Sequence, residues 1–148
     1  MTTKTLQDLE DEYESDCHID GADLGTEAMR MPNLHQKWLR YLNHFKIRAF
    51  TNKKKLQAME SLRLRYFKGE LGQTSLAEHG WEPWNLKHKV NADIEKWLQG
   101  DSVLTPMREK QFALETCLEH CAEVLKGIKD RGYAIRNTMD WRKFEAGN

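Results

Sequence analysis

The chain has 148 residues, with 23 basic side chains balancing 23 acidic ones and a mean hydropathy of −0.79. No apolar run approaches the roughly 18 residues of a membrane span, and no basic-then-apolar profile opens the N-terminus, so neither a membrane protein nor a secreted one is expected. Cys17, Cys117 and Cys121 are too few and too unevenly placed for a disulfide framework, which fits a reducing, cytoplasmic setting.

The neutral total conceals three blocks. Residues 1–29 hold one basic and nine acidic side chains, residues 30–69 hold eleven basic and one acidic, and residues 70–148 hold eleven and thirteen. A strongly basic segment beside an acidic head is a pattern of interaction surfaces: one part suits a polyanion, the other a basic partner or the basic segment of a neighbouring copy. The length fits a single helical domain, or one subunit of an assembly whose core is shared between copies.

In chain order, the acidic head 1–29 opens with Thr5 as a helix cap and Asp8 completing a capping box, over a sparse apolar edge of Leu6, Leu9 and Tyr13. Its carboxylates are expected on the outer faces of this short helix. Pro32 stands where a first helical residue is favoured, so the basic helix is predicted over 32–67. Trp38, Leu42, Phe45, Ala49, Leu56 and Met59 recur at steps of three and four, with Asn52 in the one gap, which describes a helix buried along one stripe. Lys46, Arg48, Lys53, Lys54 and Lys55 then flank the stripe toward solvent as candidate phosphate contacts, although a run of lysines is equally a solvated face.

Gly69 and Gly72 stop the basic helix, Gln73 to Gly80 reads as loop, and residues 70–100 are predicted as loop plus one short helix. That helix is predicted to start at Pro83, with Trp84, Val90, Ile94 and Trp97 on its apolar edge. Indoles near a basic helix can stack on unpaired bases, but tryptophans at helical spacing more commonly pack in a core or a subunit contact. Thr105 is read as the cap and Pro106 as the opening of a last helix over 106–145. Along it Met107, Gln111, Leu114, Leu118, Cys121, Leu125, Ile128, Gly132, Ile135 and Met139 keep a heptad spacing without a slip. A seam of that length has to pack on the basic helix or on other copies of the chain. The fold class predicted is all-α, built on long helices with heptad-type apolar seams.

The sequence contains no GxxxxGK[ST], GxGxxG, GxSxG or HExxH motif, and its six histidines have no evident nucleophilic partner, so an enzyme is not expected. Cys117, His120 and Cys121 share a helix face, but a structural zinc needs a fourth ligand that the local sequence does not offer; no metal or other cofactor is expected.

The run HIDGADLGTEAMRMPNLHQKWLRYLNHFKIRAF (residues 18–50), then SLRLRYFKG (61–69), and above all KGIKDRGYAIRNTMDWRKFEAGN (126–148) resemble the UvsY recombination mediator family of T-even-like bacteriophages. The likeness extends from about Leu6 to the terminus. It implies a non-enzymatic, phage-encoded protein, active in recombination, repair and replication in the cytoplasm of the infected host. Its implied partners are single-stranded DNA, a RecA-like recombinase of the UvsX type and the phage single-stranded-DNA-binding protein, with no membrane involved.

The resemblance further implies a ring-like or barrel-like homo-oligomer of six or seven subunits. It is assembled through the C-terminal helix, with Leu114, Leu118, Cys121, Leu125, Ile128, Ile135 and Met139 as the expected contacts. The family's DNA motif, a Lys-x-Arg-Leu followed by two aromatics, falls on Ser61, Arg63, Leu64, Tyr66 and Phe67. Arg63 and Tyr66 carry over, Ser61 replaces the lysine, and Arg65 is a cation the motif lacks. The competing reading of Arg63 is an interhelical ion pair. The competing reading of the whole is a phage assembly or scaffold protein whose basic helix pairs with the acidic heads of neighbouring subunits.

Overall fold

The computed structural model describes residues 3–84 and 91–147, and among these all regular structure is helical. The elements are α1 (Leu6–Asp16), α2 (Leu24–Phe67), α3 (Gln73–His79), α4 (Asn91–Gln99) and α5 (Leu104–Glu145). Contacts group them into two compact units, Met1–Ala49 with Ala113–Asn148 and Phe50–Phe112.

In the first unit α1 starts on the predicted capping box: the Thr5 hydroxyl accepts from the Asp8 amide at 3.2 Å and the Asp8 carboxylate accepts from the Thr5 amide at 2.8 Å. α2 begins at Leu24 rather than at Pro32, which lies inside the helix. The Asp23 side chain takes the Thr26 amide and hydroxyl, at 3.2 and 2.7 Å, and so satisfies donors of a first turn that lies eight residues earlier than the proline. Pro32 removes a single donor from the ladder, the one that would reach the Ala28 carbonyl, and the helix continues through it because the turns that follow are anchored by Leu34 and Trp38.

The core of this unit joins Leu9 of α1, Leu34, Trp38, Phe45 and Ala49 of α2, and Leu114, Cys117, Cys121, Val124 and Ile128 of α5. The heptad seam of α5 therefore packs on the basic helix of its own chain. Leu118 and Leu125 sit half-buried beside it, and Met139, at the far end, is 40% exposed. Trp38 is fully buried, edge-on to Tyr13 and Tyr41, and its Nε1 donates to Asp16 at 2.9 Å. Gly127 lets α1 close onto α5, since a Cβ there would lie 2.2 Å from the Tyr13 hydroxyl.

In the second unit α2 ends where predicted: Gly69 takes φ +72° and the Glu70 amide bonds the Arg65 carbonyl, a left-handed cap that glycine adopts without steric cost. Residues Gln73–His79, predicted as loop, form α3 between Gly72 and a left-handed Gly80, and the Trp81 amide closes on the Leu76 carbonyl. Pro83 does not start a helix. Residues 81–84 are irregular, with the Glu82 carbonyl held by the Tyr66 hydroxyl at 2.5 Å, and the next described helix is α4, Asn91–Gln99; residues 85–90, Val90 among them, lie outside the described residues. α5 opens at Leu104, not after Thr105, whose amide and hydroxyl both bond the Asp101 carbonyl from within the first turn.

Tyr66, Phe67 and Ile94 form the centre of this unit, with Trp81, Trp84 and Trp97 packed around them. Phe67 lies edge-on to Trp84 at 4.9 Å, and Trp84 to Trp97 at 5.3 Å, so the tryptophans serve the core rather than an open stacking surface. Arg63 enters the same cluster. Its Nε and Nη2 donate to the two oxygens of Asp101 at 2.7 and 2.6 Å, with the residues 7% and 5% exposed, and its guanidinium lies 4.4 Å from the Tyr66 ring centre and 4.6 Å from that of Trp81. Breaking such a pair leaves an uncompensated buried cation, so Asp101→Ala should lower the unfolding free energy by about 3–5 kcal/mol. Urea denaturation reads this directly; a midpoint equal to the parent's would show that the pair carries no stability.

Candidate nucleic-acid interface

The eleven cations of residues 30–69 divide by what they touch. Lys37 bonds Glu12 at 3.1 Å and also Asp16, Arg30 pairs with Glu27 at 3.1 Å, and Arg63 pairs with Asp101. For Glu12, burial alone would raise the carboxyl, but hydrogen bonds from Lys4, Lys37 and Tyr41 outweigh it and hold it below the ordinary carboxylate range. Two carboxylates of the acidic head thus dock on the chain's own basic helix instead of lining an outer face, and a head-to-helix contact between neighbours would have to do without them.

Of the residues predicted to meet DNA, Arg63 and Tyr66 are buried and engaged inside the second unit, which supplies the ion-pair geometry in place of a strand-facing one. Burial requires it: a desolvated guanidinium needs a carboxylate, and a buried tyrosine hydroxyl an acceptor. Arg48 is half-buried and turned toward α5, close enough for its charge to oppose the upward pull of burial on the Cys117 thiol. Lys46, Lys53, Lys54, Lys55 and Arg65 are exposed and have no ion-pair partner among the described residues, and Arg40, which sequence reasoning passed over, joins them.

Within the second unit these side chains fall on a line. At about 100° per residue Phe50, Lys54, Ser61 and Arg65 share the face of α2 opposite the buried Asn52, Leu56 and Arg63, with Lys53 and Lys55 on either flank. Phe50 was not singled out in the sequence. It is 60% exposed, and the Lys54 ammonium lies 4.7 Å above its ring. Such a surface offers phosphate contacts and an aromatic face, without a helix or ribbon shaped to read base edges in a groove.

Among the described residues no three His, Cys, Asp or Glu side chains converge where a metal could sit. Cys121 is fully buried, and burial pushes its thiol up to about 12, the behaviour of a core residue. Among the described residues no helix is long and apolar enough to cross a membrane.

A family model for recombination, repair and ssDNA-binding protein UvsY matches residues 12–148. The chain belongs to the UvsY family. The recombination protein uvsY of Enterobacteria phage T4 is 29% identical to it over 142 residues, covering 96% of this chain and 98% of that protein. Crystal structures of the bacteriophage T4 recombination mediator protein UvsY share its fold. One gives a TM-score of 0.87 at 24% identity over 97% of this chain and 99% of that one; another gives 0.81 at 25% identity over 96% and 99%. The all-α architecture expected from the helical spacings is that of these UvsY structures.

The UvsY resemblance puts Ser61 at the motif's lysine position, and Ser61 is exposed on the same line as Lys54 and Arg65. Ser61→Lys should therefore tighten binding to poly-dT and steepen its salt dependence by about 0.7 in log–log slope for each subunit engaged. Fluorescence anisotropy across a salt series measures both, and an unaltered slope would take this line out of the interface.

Proposed function

We propose that this UvsY-family chain is a non-enzymatic recombination mediator: it binds single-stranded DNA and promotes loading of a RecA-like recombinase onto strands covered by single-stranded-DNA-binding protein, in the cytoplasm of an infected host. The observation that carries the reading is the row of exposed, unpaired cations on α2, set on a chain whose family is one of recombination, repair and ssDNA-binding proteins. The DNA contacts are Lys53, Lys54, Lys55 and Arg65 in the second unit, and Lys46 in the first. Arg63 acts one step back, keeping α2 fixed to the start of α5 through Asp101.

Each subunit on this reading contributes feeble phosphate contacts, and a ring of six or seven copies multiplies them. Linking sites in this way raises avidity by about 10²–10⁴ with no new kind of contact. The assembly contact is carried by the last turns of α5, where every described residue from Arg136 onward is exposed, among them Met139, Trp141 at 60% and Phe144 at 70%. Leu114, Leu118, Cys121, Leu125 and Ile128 are committed to the chain's own core, so substitutions there unfold the subunit rather than separate it from its neighbours. An assembly or scaffold role is the weaker reading, because Glu12 and Asp16 are already paired within the chain.

The experiment is recombinase loading on strands precoated with the single-stranded-DNA-binding protein, followed by strand-dependent ATP hydrolysis. The parent chain should shorten the lag. Trp141→Asp with Phe144→Asp should give a folded chain of lower native mass whose affinity for poly-dT drops by at least about tenfold and which no longer shortens the lag. A parent chain without effect on the lag contradicts the mediator reading, and a dissociated variant that binds as tightly as the parent contradicts avidity.

A further inference from the structure

An exposed phenylalanine one turn ahead of a run of three lysines is out of keeping with a merely solvated helix face. The three lysines that follow it are exposed, while Phe50 is open over more than half its surface with the Lys54 ammonium over its ring. The tryptophans and tyrosine of the second unit are packed among themselves and around Arg63, so they leave stacking work to another ring. Phe50 stands at one end of the line that continues through Lys54 and Ser61 to Arg65. A strand lying along that line would bring its phosphates to the cations and its unpaired bases against the ring.

We propose that Phe50 is a base-stacking residue of the single-strand track. The proposal rests on the single-strand-binding reading above and adds to it a contact that is not electrostatic. A nucleobase slides onto the open ring, and the Lys54 ammonium swings from the ring to the neighbouring phosphate, so that one four-residue step of α2 grips base and backbone together. The polyanion is selected by charge: cations without acidic partners border the ring, and an uncharged apolar partner would have to cover them. Stacking tolerates any base, in keeping with a track that has to act on strands of every sequence.

The test compares the parent, Phe50→Ala, Phe50→Leu and Phe50→Tyr on oligo-dT and on an oligonucleotide of equal length made of abasic sites, with the native mass of each variant recorded. Phe50→Ala and Phe50→Leu should weaken oligo-dT binding by about tenfold at fixed salt and leave the log–log salt slope unchanged, while Phe50→Tyr keeps the parent affinity. On the abasic strand the four proteins should bind alike. A parent chain that binds neither strand overturns the underlying reading. A parent that binds oligo-dT no better than Phe50→Ala does overturns stacking alone. A penalty that persists on the abasic strand, or that comes with a change in native mass, assigns Phe50 to a contact between subunits and equally overturns the proposal.

Discussion

A charged side chain can leave water only in the company of an opposite charge, and this constraint sorts the cations of the long basic helix. Where α2 faces its neighbours, the buried Arg63 has Asp101 and the half-buried Lys37 has Glu12 and Asp16, whereas Arg48, half-buried toward α5, has no carboxylate among the described residues. The buried Arg131 of α5 follows the same rule, since its Nη2 bonds Glu27 and the His18 carbonyl. A buried ion pair stabilises little by itself, but losing one member is severe, so these pairs fix which helix faces meet. What remains in the second unit after this pairing is Lys53, Lys54, Lys55 and Arg65, exposed to solvent, and that row is the surface that suits a polyanion.

The long helices were legible because their apolar spacings are regular, and so were the capping box at Thr5 and the glycine stop at Gly69, where local chemistry decides the outcome. Boundaries that depend on distant partners were not. The Glu82 carbonyl held by Tyr66, sixteen positions back, is a contact that no local pattern announces, whereas the Asp23 cap ahead of Pro32 is local and competes with the proline as a start signal. The α5 seam was visible as a seam, but its periodicity is the same whether the partner is the chain's own α2 or another copy. Only the identity of the facing residues decides, and Leu34, Trp38, Phe45 and Ala49 lie within the chain.

The candidate interface was read in part for a similar reason. Charge counting finds cations and cannot see their partners: the family motif put Arg63 toward DNA, with an interhelical ion pair as the competing reading, and Asp101, thirty-eight positions along the chain, is the acid such a pair needs. A signal for this existed: Arg63 falls on the same face of α2 as Leu56 and Phe45, where an arginine needs a buried acid. Phe50 lies off the apolar stripe by the same 100° spacing, and the structure adds that it is 60% exposed beneath the Lys54 ammonium. The stripe facing inward holds the helix in place, and the opposite row is left exposed to solvent.

The claim at the centre is that Lys53, Lys54 and Lys55, left unpaired by the fold, contact the backbone of a single strand. The salt dependence of poly-dT binding tests it most directly, measured for the parent chain and for a variant with glutamine at all three positions. The account predicts that the log–log slope becomes shallower by about two per engaged subunit while native mass and unfolding midpoint stay the same. A variant that keeps the parent's slope would contradict it.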